Sequence, residues 1–161
     1  MTRALQLAQR AEDAGDVPVG ALVVANADLT LPPEEITPLG IGWNCREDPA
    51  HPDPTAHAEV VAIRQAALAV GEWRLLDTTL IVTLEPCLMC AGAILAARIP
   101  RIVFGAWDPK AGACGSTRDT VRDPRLNHTV EVIGGVREDD AARQLREFFT
   151  RKRRAGEPFE I

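Results

Sequence analysis

Long apolar runs are missing from this sequence. No stretch approaches the roughly 18 uninterrupted apolar residues of a membrane-spanning helix, and the opening residues MTRALQLAQRAEDAG lack the apolar core of a secretory signal. A cytoplasmic protein with no membrane partner is expected. Cysteine is scarce, with four in 161 residues, and in a reducing cytosol so few thiols are weak support for disulfides. A close pair in that setting more often binds metal or performs catalysis, which singles out Cys87 and Cys90. Repeats, linkers and low-complexity tracts are also lacking, and the twelve Pro and twelve Gly are scattered, so disorder is not indicated. At 46% hydrophobic and 25% charged residues, the chain has the composition of one globular domain over residues 1–161.

A basic excess is lacking as well. The net charge of −5 argues against indiscriminate binding of nucleic acid, but the charge is unevenly spread. Residues 1–60 carry three basic and ten acidic side chains, whereas residues 143–154 carry six basic side chains against Glu147. Residues 98–125 carry six basic against three acidic. A local basic surface is therefore compatible with the acidic total.

The periodicity predicts strands alternating with helices. Thr2 is placed to cap a first helix with Leu5, Ala8 and Ala11 on one face, ended by Gly15. VGALVVA (19–25) and LGIGW (39–43) read as a strand hairpin joined by a long polar loop, 26–38. An Ala-rich helix follows over 55–70, with Val60, Ile63 and Ala67 inward and Gly71 as its stop. TTLIVTL (78–84) reads as a strand. Pro86 then sits where a first-turn proline belongs, opening a small-residue helix through CLMCAGAILAAR. Strands at 101–107 and 129–135 precede a closing helix, 139–154, with Ala142, Leu145, Phe148 and Phe149 inward. The pattern is that of an α/β layered sheet, whose ligand sites gather at strand ends and helix N-termini.

Two such helix starts carry chemistry: His57-Ala58-Glu59 and Pro86-Cys87-Leu88-Met89-Cys90. Cysteines three apart lie on one side of a helical turn, and a helix N-terminus favours the thiolate that binds metal. Two thiolates and an imidazole leave a tetrahedral zinc ion one position short, the mark of a catalytic rather than a structural site. Zinc lowers the pKa of water in such a position to about 7, and Glu59 is placed to take its proton and hand it to a substrate nitrogen. A lone His and a distant CxxC can also be core residues, but HxE together with PCxxC is the signature of the zinc nucleobase deaminases.

The chain resembles, almost end to end, the bacterial tRNA adenosine deaminases, which make inosine at the wobble position. The blocks DVPVGALVV (16–24), GWN (42–44), DPTAHAEVVAIRQ (53–65), TLEPCLMCAGAI (83–94), RIVFGAWDPKAG (101–112) and NHTVEVIGGV (127–136) follow in the family's order. The resemblance implies a three-layer α/β/α cytidine deaminase-like fold with about five strands in a mixed sheet. It implies His57, Cys87 and Cys90 as ligands of one Zn2+ per subunit, with Glu59 as general acid and base. Asn44 would bond the nucleoside, the Glu85-Pro86 turn would shape the site, and Asp108 and Asn127 would lie beside the bound nucleotide. The basic C-terminal helix, with Arg151 and Arg153, would contact tRNA, and the enzyme would be a homodimer.

From the residues alone other readings stay open. Asn44 is also a turn former. Trp107 ends a strand, where an aromatic packs more often than it stacks on a base. Cys45 and Cys114 lack ligand spacing and read as spare thiols, and His128 reads as structural. A deaminase of free bases or nucleosides such as guanine or cytosine would use the same zinc chemistry, but the basic C-terminal helix tells against it. A non-catalytic zinc or RNA-binding module would have no need of Glu59. The chain also departs from the family pattern: the loops around 28–38 and 45–54 are longer, and fewer residues precede the first helix.

Overall fold

The computed structural model describes residues 1–156. A mixed sheet of five strands is ordered β2-β1-β3-β4-β5. Its strands are β1 (Gly20–Ala25), β2 (Gly40–Trp43), β3 (Thr78–Leu84), β4 (Arg101–Ala106) and β5 (Glu131–Ile133). Strand β1 is antiparallel to both β2 and β3, while β3, β4 and β5 run parallel. Parallel neighbours require crossovers, and α3 (Leu88–Ala96) supplies the one between β3 and β4.

Side-chain alternation along the strands assigns the two layers. Ala21, Val23, Leu80, Val82, Ile102 and Phe104 turn to the face covered by α2 (Ala58–Val70) and α3, where the main core lies. Leu22 and Val24 turn to the other face, onto Ala4 and Leu7 of α1 (Thr2–Asp13). Helix α4 (Glu138–Ala155) lies over β4 on that side and is tied to α1 along its length. Arg137 Nη1 donates to Thr2 Oγ1 at 2.7 Å, Gln144 Nε2 to Leu5 O at 3.4 Å, and Arg151 pairs with Glu12. The expected three-layer arrangement is thus observed.

Several element boundaries differ from expectation, each for a local reason. Helix α1 starts at Thr2, whose hydroxyl is taken by Arg137 rather than used as a cap. Helix α2 starts at Ala58, not 55, because Asp53 Oδ1 accepts both the N–H and the hydroxyl of Thr55 and holds that residue in a turn. Its buried face is Ala58, Glu59, Ala62, Ile63 and Ala66, a rotation from the predicted one. In α3, Pro86 precedes the helix and Cys87 is its N-cap, because Cys87 forms a strand-like bridge with Gly112. Strand β5 has three residues, since Gly135, at φ 81°, turns its N–H to Gly105 O. In α4 the buried alanine is Ala141 rather than Ala142.

One packing feature positions the site. A Cβ at Gly42 would collide with Ala58 O, and one at Gly40 with Ala62 O. The bare glycines let β2 run against the Ala58, Ala62 and Ala66 stripe of α2, which sets the residue after β2 beside the start of α2.

Candidate active site

Two helix starts converge on one point. His57 is the N-cap of α2 and Cys87 that of α3, both with extended backbone, and Cys90 lies in the first turn of α3. The His57 Nδ1 atom is 3.8 Å from Cys87 Sγ and 3.5 Å from Cys90 Sγ, and the three donor atoms lie within 4.8 Å of one another. Tetrahedral bonding with Zn–S of about 2.3 Å and Zn–N of about 2.05 Å would separate nitrogen from sulfur by about 3.6 Å. The donor set therefore fits a tetrahedral metal ion with little adjustment. Between the thiols the proton is unevenly shared. A hydrogen bond from Cys90, assisted by the His57 ring, outweighs burial and brings Cys87 down to about 4. That same pairing, with burial, pushes Cys90 up.

Glu59, in the first turn of α2, is only 4% exposed. Burial raises its carboxyl pKa, opposed by a bond from its own backbone N–H and by His57. The result is a carboxyl with enhanced proton affinity beside the donor cluster. Asn44 is buried on the same side, and its Oδ1 accepts Ala58 N–H at 3.0 Å. With the oxygen so used, the NH2 end is the one left to donate.

Glu85 and Pro86 form the turn between β3 and Cys87. Glu85 accepts the N–H groups of Asp108, Cys114 and Ser116, each at 3.0 Å, and the Ser116 hydroxyl. Burial pushes the Glu85 carboxyl up, but these donors outweigh it and hold its pKa below the ordinary value. Pro86 O accepts Ala113 N–H. The 107–116 loop is thereby fastened to the turn that carries Cys87. Asp108 spends its carboxylate on the N–H groups of Lys110 and Ala111, a tight local turn.

The other predicted residues lie farther off. Asn127 is held by Arg98 Nη1 at 2.6 Å, at the C-terminal end of α3, so the nine-residue helix, about 14 Å long, separates it from Cys87. Arg151 pairs with Glu12, and Arg153 donates to Thr150 Oγ1. Their end of α4 borders the loop after Asn44: Phe148 and Lys152 line a cleft of about 200 Å³ with Gly15, Asp16, Val17, Arg46 and Glu47. Cys45 donates to Trp43 O, and Cys114 is buried, its thiol pushed up to about 12 by burial and Glu85. His128 Nε2 contacts Ile99 O at 2.9 Å.

Two supporting residues escaped the sequence. Asp16 is buried and receives the Arg46 guanidinium, together with the N–H groups of Val17, Arg46 and Glu47. It thus anchors the long loop that follows Asn44. Ser116 closes the bonding shell of Glu85. Neither sits at a spacing that a motif could reveal, because both partnerships span about thirty residues.

Comparison with known proteins agrees with this geometry. Residues 1–153 match the model of the MafB19-like deaminases. The tRNA-specific adenosine deaminase of Haemophilus influenzae is 46% identical over 153 residues, covering 95% of this chain and 83% of that protein. The protein of the same description from Bacillus subtilis is 40% identical, covering 96% and 89%. A solved chain from work on A-to-I editing by tRNA:A34 deaminases superposes with a TM-score of 0.77 at 38% identity, covering 88% of this chain and 95% of that one. With its fold, its donor cluster and its near full-length matches in agreement, the chain belongs to the MafB19-like deaminases and, among them, to the tRNA-specific adenosine deaminases.

Proposed function

We propose that the protein hydrolyses adenosine 34 of a tRNA anticodon loop to inosine and ammonia, in the cytoplasm. The observation that carries this reading is a buried carboxyl, Glu59, two residues from one member of a His57, Cys87, Cys90 donor set. Two thiolates and an imidazole suit Zn2+, which when bound makes water nucleophilic at neutral pH. Glu59 takes one proton of the attacking water to the ring nitrogen, where it stays, and then carries the proton of the new C6 hydroxyl to the departing amine. A C6–O bond forms and the C6–N bond breaks. Asn44 directs its NH2 to the nucleoside, while Glu85, Pro86 and Asp108 fix the wall against which the base rests.

The tRNA substrate is supported by the relatives' descriptions and by the basic end of α4. Arg153 and its neighbours there, with Arg151 released from Glu12, give an acidic protein the cations that phosphate binding needs. An anticodon-loop base is already partly unstacked, so its extrusion costs a few kcal/mol or less.

A second copy of the chain completes the enzyme. Helix α3 leaves Leu88 and Met89 exposed, and α2 and its following turn leave Leu68, Trp73 and Leu76 exposed, apolar side chains that a second copy would cover.

The test is incubation of the purified protein with an adenosine-34 anticodon stem-loop, free adenosine, guanine and cytosine, with ammonia and inosine measured. Turnover of the stem-loop is expected. Activity on a free base with none on the stem-loop would overturn the substrate.

A further inference from the structure

We propose that Trp107 is a stacking platform for the base next to the one deaminated, an inference that rests on the RNA reading of the active site. Trp107 directly follows β4 and is 41% exposed. Its neighbour Asp108 donates its N–H to Glu85, two residues before Cys87. The indole therefore stands at the margin of the metal-bearing turn and is coupled to it through the backbone.

The ring is held rather than loose. It meets buried Phe104 edge to face, with centroids 4.7 Å apart and planes at 89°. Its rim is seated among glycines. A Cβ at Gly134 would lie 2.7 Å from Cζ2, one at Gly115 would lie 3.3 Å from Cζ3, and one at Gly135 would lie 3.9 Å from Nε1. Side chains at these positions would crowd the indole, and their absence leaves a fixed aromatic surface half open to solvent. A Trp serving only to fill the core would be covered.

The surroundings favour a nucleobase over an apolar protein surface. The Arg122 guanidinium, paired with Asp119, reaches the same Gly115 that borders the ring. A rigid π face with a guanidinium at its edge suits an unpaired base, which it can hold without reading its sequence. Trp73, more exposed still, lies past Gly71 at the far end of α2 from His57, so it does not offer the same service.

The test uses the full chain with Trp43→Phe and Trp73→Phe, which leaves Trp107 as the one indole of three. Its emission should be quenched on adding the adenosine-34 stem-loop. In the native background, Trp107→Leu keeps an apolar side chain over Phe104 but has no π face. It should raise KM for the stem-loop by about fivefold or more, with kcat changed less than about twofold, and Trp107→Phe should recover most of the loss. Bound metal and Tm check that the Leu variant is folded, and if it is not, the emission experiment decides. Stem-loop turnover with unquenched emission, or with KM unchanged in a folded Trp107→Leu protein, would overturn the platform alone. Failure of the native protein to turn over any RNA would overturn the RNA reading and the platform with it.

Discussion

The amide oxygen of Asn44 and the backbone N–H of Ala58 lie 3.0 Å apart, so the residue leaving the hairpin caps the helix whose first turn carries Glu59. One side chain thereby links the end of the hairpin to the turn that carries Glu59. Asn44→Asp keeps an acceptor for Ala58 but removes the NH2 and adds a charge. It should retain most of the stability and lose about a hundredfold or more in kcat/KM. Asn44→Ala removes the cap as well and should cost about 1–2 kcal/mol in urea unfolding.

Glu59→Gln preserves volume and removes the proton acceptor. Bound metal, measured by elemental analysis, should stay at the native ratio while kcat falls by about 10²–10⁴. Near-native turnover would remove Glu59 from the mechanism.

Removal of metal should act on stability as well as activity, because the donors belong to two separate helices. Prolonged chelation should lower Tm by several degrees and abolish turnover, and Zn2+ should restore both. A Tm indifferent to chelation would mean that the cluster holds no structural ion.

Glu85 gives a pH signature. Its folded pKa is lowered, so its contribution is complete above the ordinary carboxyl value of 4.5 and is lost as pH falls through the folded value. Glu85→Gln should flatten the acid limb of a stability-against-pH curve below about pH 4.5. At pH 7 it should cost about 1–3 kcal/mol, because an amide cannot satisfy the donors that the carboxylate receives. An unchanged acid limb would place the acid sensitivity elsewhere.

Gly42→Ala is the smallest change that pushes β2 off α2. It should destabilise by about 1–3 kcal/mol and, by shifting Asn44 relative to Ala58, reduce activity beyond the loss of folded protein. An active, fully stable Gly42→Ala protein would show that the close approach is not required.

The clustering of His57, Cys87 and Cys90 was legible because these residues sit at helix starts in spans whose spacing is itself chemical, the two cysteines one turn apart. Strand and helix identities were legible from periodicity, and their boundaries were not. Helix α2 loses its expected first turn to a side-chain bond between Thr55 and Asp53, and α3 loses Pro86 to the pairing of Cys87 with Gly112. Such events depend on partners chosen by the fold. The same holds for Asp16 with Arg46 and for Arg98 with Asn127, which meet across about thirty residues. Asn127 shows the limit most clearly, since its block matches the family while its position in a single chain is remote from the donor cluster.

The bonding shell of Glu85 divides the labour of change between two parts of the protein. A carboxylate hidden from solvent holds the 107–116 loop at Asp108, Cys114 and Ser116, so side chains that stand away from the donor turn can be exchanged without disturbing it. If Trp107 is the proposed platform, it is a place where substrate preference can drift, or be redesigned, while the reactive centre stays constant. Altering Glu85 itself would let go of every one of those variations at once.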